Sequence, residues 1–348
     1  MKQQQEGGAN SENYQAGGNI LVNNNNGLSY HDVKQVTQDV MRADFTAFSA
    51  VALQTVNERF DYMSSEFSRR LSQLPPENQK SLEDPDVQYA ISSAGKSYAR
   101  RGTEELASVL LDLLTDRCTA PSESLLATVL NDAIEIAPRL TKTERATLAV
   151  AWRLLRTTSP VDTPEGCFRL LRHSVAPFIG ELVKSDATYL HLQSLGCAAV
   201  ETFNGTSLHD VFSTYYPVAF SAGLKPEDVP ERLRPFLPDP MIFKACDHQP
   251  ELLQVAPQNG TAIELLSQHL GGADVVQELQ SLQKNNVLPE AMVRDMVIEA
   301  IPEFTRLYEV WDTLGSLKLS AVGIAIAHAV TVERLGSGPD LRIWINED

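Results

Sequence analysis

The sequence predicts a mainly α-helical protein with an N-terminal β-arm, one very long helix, a multi-helix body and a small winged-helix-like α/β unit at the C-terminus. Three observations predict this fold class. Residues 29–74 contain neither proline nor glycine. From residue 84 onward, cap-forming residues recur ahead of apolar patterns with helical spacing,. Strand-like runs are nearly absent before residue 316.

Residues 1–28 form an arm rich in glycine, asparagine and glutamine. Such a composition is typical of a low-complexity tail without fixed structure. It also fits a β-arm that pairs with copies of itself, because stacked Asn and Gln side chains can satisfy one another between chains. We favour the β-arm, since a long amphipathic helix follows without a linker. The arm residues expected to mediate oligomerisation are Asn13, Tyr14, Gln15, Asn19, Ile20 and Val22.

The next segment, residues 29–74, predicts one long amphipathic helix. Ser29 and Asp32 form a cap pattern, and Pro75-Pro76 end the helix,. Apolar residues from Phe45 to Leu74 recur with a mean step of about 3.6, whereas a left-handed coiled coil needs about 3.5,. Two arrangements remain open: the helix packs along its own globular body, or it forms a self-associating stalk. The residues expected to mediate oligomerisation on this helix are Phe45, Phe48, Val56, Phe60, Met63 and Phe67.

Residues 82–240 predict a helical body, and residues 241–315 a second helical subdomain. Five prolines between residues 224 and 240 exclude a long helix there and indicate an ordered crossover or a subdomain boundary,. The predicted helix starts in the body are Asp84-Pro85, Thr103, Pro121-Ser122, the capping box Thr141-x-x-Glu144, and Thr163-Pro164,.

Residues 316–348 predict the winged-helix-like unit. Leu317–Leu319 would pair as a strand with the β-branched and aromatic run 341–345,. The alternative is that both are edge strands closing the helical core. The basic residues of the winged-helix-like unit are only Lys318, Arg334 and Arg342. DNA binding by this unit is therefore the weaker alternative.

The formal net charge of −16 disfavours binding to nucleic acid and to anionic lipid, because both carry negative charge,. The most apolar run, residues 319–332, is shorter than the roughly 20 residues that a bilayer requires, and it contains His328,. The first residues, MKQQQEGG, lack the apolar core of a secretory signal,. We therefore expect a cytoplasmic protein without membrane contact.

No residue pattern indicates a cofactor, a metal site or a catalytic centre. The four cysteines are dispersed without metal-ligand spacing, and we expect reduced thiols in the core,. Gly95-Lys96-Ser97 matches the end of a phosphate-binding loop motif, but it lies in a helical pattern. In a helix the backbone N–H groups that such a loop needs are already hydrogen-bonded. Cys246 and His248 are the best candidates for a hydrolase site, but closeness in sequence does not place them together in space,.

Four segments together resemble a family of uncharacterised bacterial proteins, which carries no activity to transfer: the arm, residues 27–34, residues 84–100, and the terminal Arg-Ile-Trp-Ile. The string Asn10–Gly18 is similar to Gly/Asn/Gln motifs at the ends of bacterial immunity and signalling proteins. Some of those are thought to form β-arched or amyloid-like assemblies. The piece Leu319-Ser320-x-x-Gly323-x-x-Ile326-Ala327 resembles the end of abortive-infection-type helical proteins.

The sequence thus favours a non-enzymatic homo-oligomer, an adaptor, sensor or assembly component in anti-phage defence that also binds a protein partner. Two alternatives are kept: a hydrolase with a cleft in the helical body, and a winged-helix nucleic-acid binder.

Overall fold

The computed structural model describes residues 30–42, 50–201 and 205–346, and within them the chain is mainly α-helical, as predicted. The arm, residues 1–28, lies outside the described residues. The helices of the described part are α1 (Tyr30–Arg42), α2 (Ala50–Leu71), α3 (Pro76–Gln79), α4 (Pro85–Arg101), α5 (Glu104–Thr119), α6 (Leu125–Ile136), α7 (Lys142–Leu155), α8 (Pro164–Ser174), α9 (Ala176–Ile179), α10 (Asp186–Ser194), α11 (Leu208–Tyr215), α12 (Gly260–Leu265), α13 (Ser267–Leu270), α14 (Ala273–Asn285), α15 (Glu290–Ala300), α16 (Phe304–Leu314) and α17 (Ala321–Leu335).

Two short antiparallel sheets complete the regular structure of the described residues. Strand β1 (Ala198–Val200) pairs with β4 (Leu317–Leu319), and Ala198 lies opposite Leu319. Strand β2 (Phe243–Ala245) pairs with β3 (Leu253–Val255). The first sheet joins segments that are distant in sequence, whereas β2 and β3 are separated only by residues 246–252.

The prediction of a single helix over residues 29–74 is wrong. The structure has two helices, α1 and α2, and Gln38 Nε2 donates a hydrogen bond to Asp61 Oδ1 at 3.3 Å. In one straight helix these residues would lie about 35 Å apart along the axis, at about 1.5 Å per residue. Helix α1 therefore packs beside α2, and both contact α4. The packing of α1 against the body buries Val33 and Thr37. This burial favours two packed helices over the single straight helix that the continuous apolar stripe predicts.

The main hydrophobic core runs through α1, α2, α4–α11 and α15–α17. Helix α17 lies in its centre and packs on α5, α6 and α7. Its apolar run was predicted to be too short to span a bilayer, and residues Ile324 to Val330 are instead buried in this core. No helix in the described part of the chain has the length and apolarity required to cross a membrane.

A second, smaller hydrophobic core gathers residues Leu224 to Leu279. The proline-rich segment contributes to it through two short 3₁₀ turns, Pro226–Asp228 and Arg234–Phe236, so no long helix forms there, as predicted. This core begins before residue 241 and ends before 315, whereas α15 and α16 belong to the main core. The hydrophobic cores thus divide the chain at different points from the predicted subdomains.

The predicted pairing within the C-terminal unit is wrong. Strand β4 pairs with β1, and Leu341–Ile343 form a 3₁₀ turn. Asp340 caps that turn by accepting a hydrogen bond from the Arg342 N–H. Because Leu341 and Ile345 are buried against the helices, the β-branched run serves the helical core and does not form a strand or a winged-helix unit.

Candidate functional site

The C-terminal segment, residues 336–346, lies across the ends of two helices. Arg342 Nη2 donates to the carbonyl of Thr119 at 3.2 Å, at the last residue of α5. Trp344 Nε1 donates to the carbonyl of Arg156 at 3.1 Å, directly after α7. The final carbonyls of a helix lack partners within the helix, so these two side chains satisfy groups that would otherwise be unpaired. The segment is therefore anchored at two points.

Beneath this segment lies a half-open cavity of about 320 Å³ between α5, α17 and the C-terminal residues. Its polar wall consists of Asp116, Thr119, His328, Asp340 and Arg342. Leu126, Val332 and Leu341 supply apolar surface. The volume lies at the low end of the range for small-molecule sites, about 300–1,000 Å³.

His328 is held in one orientation on the cavity wall. Its Nε2 lies 2.7 Å from the carbonyl oxygen of Pro339, so Nε2 carries the hydrogen and donates it,. The ring packs edge-on against Trp152, with 5.6 Å between the ring centroids. Burial lowers the pKa of His328 below its usual range, which favours the neutral ring,. In that ring Nδ1 has no hydrogen and can only accept.

Asp116 faces this nitrogen, with its Oδ2 4.0 Å from Nδ1 of His328. Burial raises the pKa of the Asp116 carboxyl to about 7, and the nearby charges of Asp112 and Asp340 add to the rise. Arg342 and Arg70 oppose it. Among the described residues, the Asp116 carboxylate accepts no hydrogen bond. The wall therefore presents two acceptors side by side, and no hydrogen bond joins them.

Neither Asp116 nor His328 was identified as a site residue from the sequence. The available signal was a histidine inside the apolar run 319–332, where a polar ring requires a partner,. Asp116 gave no signal of its own, because an acidic residue on a helix is ordinarily a solvated side chain. The packing of α17 on α5 brings the two residues together, and the C-terminal segment supplies the rest of the cavity wall.

The residues expected to mediate oligomerisation fall into two groups. Val56, Phe60, Met63 and Phe67 are at most 5% exposed and belong to the main core of this chain. They do not form an exposed face. Their burial agrees with the alternative in which this helix packs along its own globular body. The other eight lie outside the described residues: Asn13, Tyr14, Gln15, Asn19, Ile20, Val22, Phe45 and Phe48.

The side chains of the candidate hydrolase residues, Cys246 and His248, each form a hydrogen bond with a backbone carbonyl. Cys246 Sγ lies 3.7 Å from the Ser221 carbonyl oxygen, and His248 Nε2 lies 2.8 Å from the Ala219 carbonyl oxygen. No hydrogen bond between the two residues is seen. Cys246 is 1% exposed, so a substrate could not reach its sulfur in this conformation.

The other thiols are also buried, and all four cysteines are free, as predicted. Burial raises the pKa of Cys118 to about 11 and those of Cys167 and Cys197 to about 12. A thiol is a strong nucleophile only as the thiolate, so these three residues are core side chains. In the described part of the chain, no group of histidine, cysteine and acidic residues has the arrangement of a metal site.

A second carboxylate–imidazole pair has a structural explanation. Glu144 closes the predicted capping box of α7 with Thr141, and His191 Nδ1 lies 2.5 Å from its other carboxylate oxygen. The imidazole thus pairs with a carboxylate that is already fixed at a helix start. This contact joins α10 to α7, and with the cap it engages both oxygens of the buried Glu144 carboxylate.

The motif Leu319-Ser320-x-x-Gly323 also has a structural explanation. Ser320 caps α17 by accepting from the Gly323 N–H at 3.0 Å and donates to the carbonyl of Gly196 at 2.6 Å. A Cβ on Gly323 would lie 1.9 Å from the Cys197 carbonyl oxygen. The serine and the glycine together therefore allow α17 to start directly against β1.

The fold and the cavity define a mainly α-helical protein whose C-terminal segment closes a small polar cavity. The model of one protein family matches residues 27–345, and the chain belongs to this family, which is uncharacterised. No curated protein and no solved structure matches the chain.

Proposed function

We propose that this chain is a non-enzymatic homo-oligomeric adaptor or assembly component, and that copies associate through the N-terminal arm, residues 1–28. The observation that carries the proposal is the burial of the α2 stripe. Phe60, Met63 and Phe67 are at most 1% exposed inside their own body. The apolar surface of α2 that suggested self-association is therefore already covered, and the arm is the segment left for contact between chains.

The chemistry of the arm suits contact with identical copies. Asn and Gln side chains form ladders when like residues stack in register, and Tyr14, Ile20 and Val22 add apolar groups,. A two-stranded element of this size is marginal alone in water. Pairing between chains supplies the missing strands.

The arm leads into a helix that is packed on the body. Helix α1 begins at Tyr30, and it buries Val33 and Thr37 against α2 and α4. Association of the arms would therefore bring whole bodies together at this end. In the proposed assembly, the exposed surfaces of the bodies are free to bind a protein partner.

Buried thiols with raised pKa values support the non-enzymatic part of the proposal. The similarity of the string Asn10–Gly18 to motifs of bacterial immunity proteins supports a role in anti-phage defence. The content of reduced cysteines supports the bacterial cytoplasm as its compartment,.

The proposal is tested by changing three apolar arm residues to aspartate: Tyr14→Asp, Ile20→Asp and Val22→Asp together. The added charges repel one another when arms stack, so we expect the sedimentation coefficient to fall to that of a monomer. The matched control is Leu265→Asp, which adds a charge at the end of α12, where the leucine side chain is 83% exposed. If the arm variant and the parent protein sediment as the same species, copies do not associate through the arm.

A further inference from the structure

We propose that the C-terminal cavity is a binding site for a small primary amine, whose ammonium group lies between Asp116 Oδ2 and His328 Nδ1. The inference does not rest on the proposed function, since it concerns a different end of the molecule.

The first argument is the hydrogen-bonding state of the two residues. His328 is 8% exposed, and its Nε2 donates to Pro339, so Nδ1 on the other side of the ring is left as an acceptor. An ionised carboxylate also only accepts. These two groups cannot bond to each other without a proton between them. A ligand that donates two hydrogens satisfies both.

The second argument is distance. The two acceptors are 4.0 Å apart, which is too long for a direct hydrogen bond,. A nitrogen placed about 2.9 Å from each would see them at an angle of about 90°. An ammonium group offers several N–H bonds with angles near this value. A single hydroxyl has one hydrogen and cannot donate to both.

The third argument is charge. Two arginines approach Asp116, but each is engaged by another carboxylate. Arg70 pairs with Asp112, and Arg342 pairs with Asp340 at 3.5 Å. Both arginines therefore act on Asp116 only from a distance, and in the described part of the chain neither forms an ion pair with its carboxylate. A cation in the cavity would supply the missing partner.

The fourth argument is shape. The apolar side chains of Leu126, Val332 and Leu341 line the same cavity and can cover a short alkyl chain. The volume of about 320 Å³ is at the low end for small-molecule sites, so the cavity suits a short, unbranched ligand,.

The test uses the full-length protein and n-butylamine as probe. Binding is followed by saturation-transfer NMR and by the fluorescence of Trp344 and Trp152, whose rings pack together beside His328. A ligand with about five heavy atoms is expected to bind in the millimolar range. Tetramethylammonium has the charge without N–H donors, and n-butanol has the chain without the charge. We expect both to bind at least about tenfold more weakly, because each lacks one part of a charge-assisted hydrogen bond.

The variant Asp116→Asn removes the charge and should weaken n-butylamine binding at least about tenfold. Asp186→Asn removes an exposed charge on α10, which does not line the cavity, and should leave binding unchanged. A second variant, Val332→Phe, fills the cavity and should also abolish binding. Thermal unfolding checks that each variant is folded.

The pH dependence separates this site from binding at the acidic surface. The groups facing Asp116 are Asp112, Asp340, Arg70, Arg342 and His328. Since the carboxyl ionises near neutral pH, affinity for n-butylamine should rise between about pH 6 and pH 8. Unchanged binding to Asp116→Asn, equal binding of tetramethylammonium or n-butanol, or no detectable binding of n-butylamine would each overturn the proposal.

Discussion

The carboxylate of Asp116 lies 4.0 Å from Nδ1 of His328, on the wall of a cavity that the C-terminal segment closes. Burial raises the pKa of this carboxyl to about 7, whereas aspartate in an unfolded chain titrates near 4,. The folded state therefore binds more protons than the unfolded state between these two values. The stability associated with Asp116 is fully present below about pH 4 and is lost as the pH rises through about 7.

The first prediction follows from this linkage. In Asp116→Asn, the fall in melting temperature between about pH 5 and pH 8 should become smaller than in the parent protein, because the asparagine does not titrate. Thermal unfolding followed by circular dichroism at several pH values measures it. Asp186→Asn, which changes an exposed aspartate, should keep the parent profile. Superimposable profiles for Asp116→Asn and the parent would show that Asp116 does not titrate in this range.

The second prediction concerns Gly323 at the start of α17. A methyl group there would lie 1.9 Å from the Cys197 carbonyl oxygen, so Gly323→Ala forces α17 away from β1. We expect a loss of about 1–3 kcal/mol in the free energy of unfolding, measured by urea denaturation. Gly180→Ala is the matched control, because nothing lies within 4 Å of its Cβ position and its φ of −62° suits alanine. Equal stabilities of the two variants would contradict the close approach at Gly323.

The third prediction concerns Arg117, which is 1% exposed in the main core. Its guanidinium donates to Asp86 Oδ2 at 2.8 Å and to Asn131 Oδ1 at 3.0 Å. Asp86→Ala leaves this buried charge with weaker partners. The free energy of unfolding should fall by about 1–3 kcal/mol at neutral pH.

The pH dependence provides an internal check on that pair. The hydrogen bonds from Arg117 and then Asn131 lower the pKa of Asp86 below its usual range. The stability from Asp86 is thus present above about pH 4 and is lost as the pH falls through its lowered pKa. The gap between parent and Asp86→Ala should narrow in acid. Asp132→Ala, at an exposed position on α6, should cost little at any pH. If the difference in stability between the parent and Asp86→Ala stays constant down to about pH 2, the charge on Asp86 does not stabilise the folded state.

The fourth prediction concerns the anchor of the C-terminal segment. Trp344 packs against Trp152 with 5.0 Å between the ring centroids and donates to the Arg156 carbonyl. Trp344→Phe keeps most of the ring packing and loses the hydrogen bond, so we expect a loss of about 0.5–1.5 kcal/mol by urea denaturation. Trp344→Ala loses both and should cost more. If the two variants lose the same amount, ring packing does not hold the segment.

Much of the body could be predicted because helix starts are local. Asp84-Pro85, Thr103, the box of Thr141 and Glu144, and Thr163-Pro164 all begin helices in the structure. A cap depends on residues within one turn, so the sequence contains it. Between α15 and α16 the helix is interrupted, because Pro302 disfavours helical geometry at Ile301, whose φ and ψ are −141° and 85°,.

The predictions that were wrong concern features that depend on tertiary packing. An unbroken apolar stripe does not reveal whether a long segment runs straight or folds back, and the body binds α1 beside α2. The run at residues 341–345 has a strand-like composition, but its apolar side chains pack on helices. The cavity could not be predicted for the same reason, since Asp116 and His328 meet only through the packing of α17 on α5.

The central claim is that the arm, and not α2, joins copies of this chain. The most direct measurement is the solution mass by light scattering of the full-length protein and of a form lacking residues 1–28. The truncation stops before Tyr30, because removing α1 and α2 would take Phe60, Met63 and Phe67 out of the core. We expect a multiple of 38.3 kDa for the full-length protein and a folded monomer for the truncated form. The same number of subunits in both, or a monomeric full-length protein, would contradict the account.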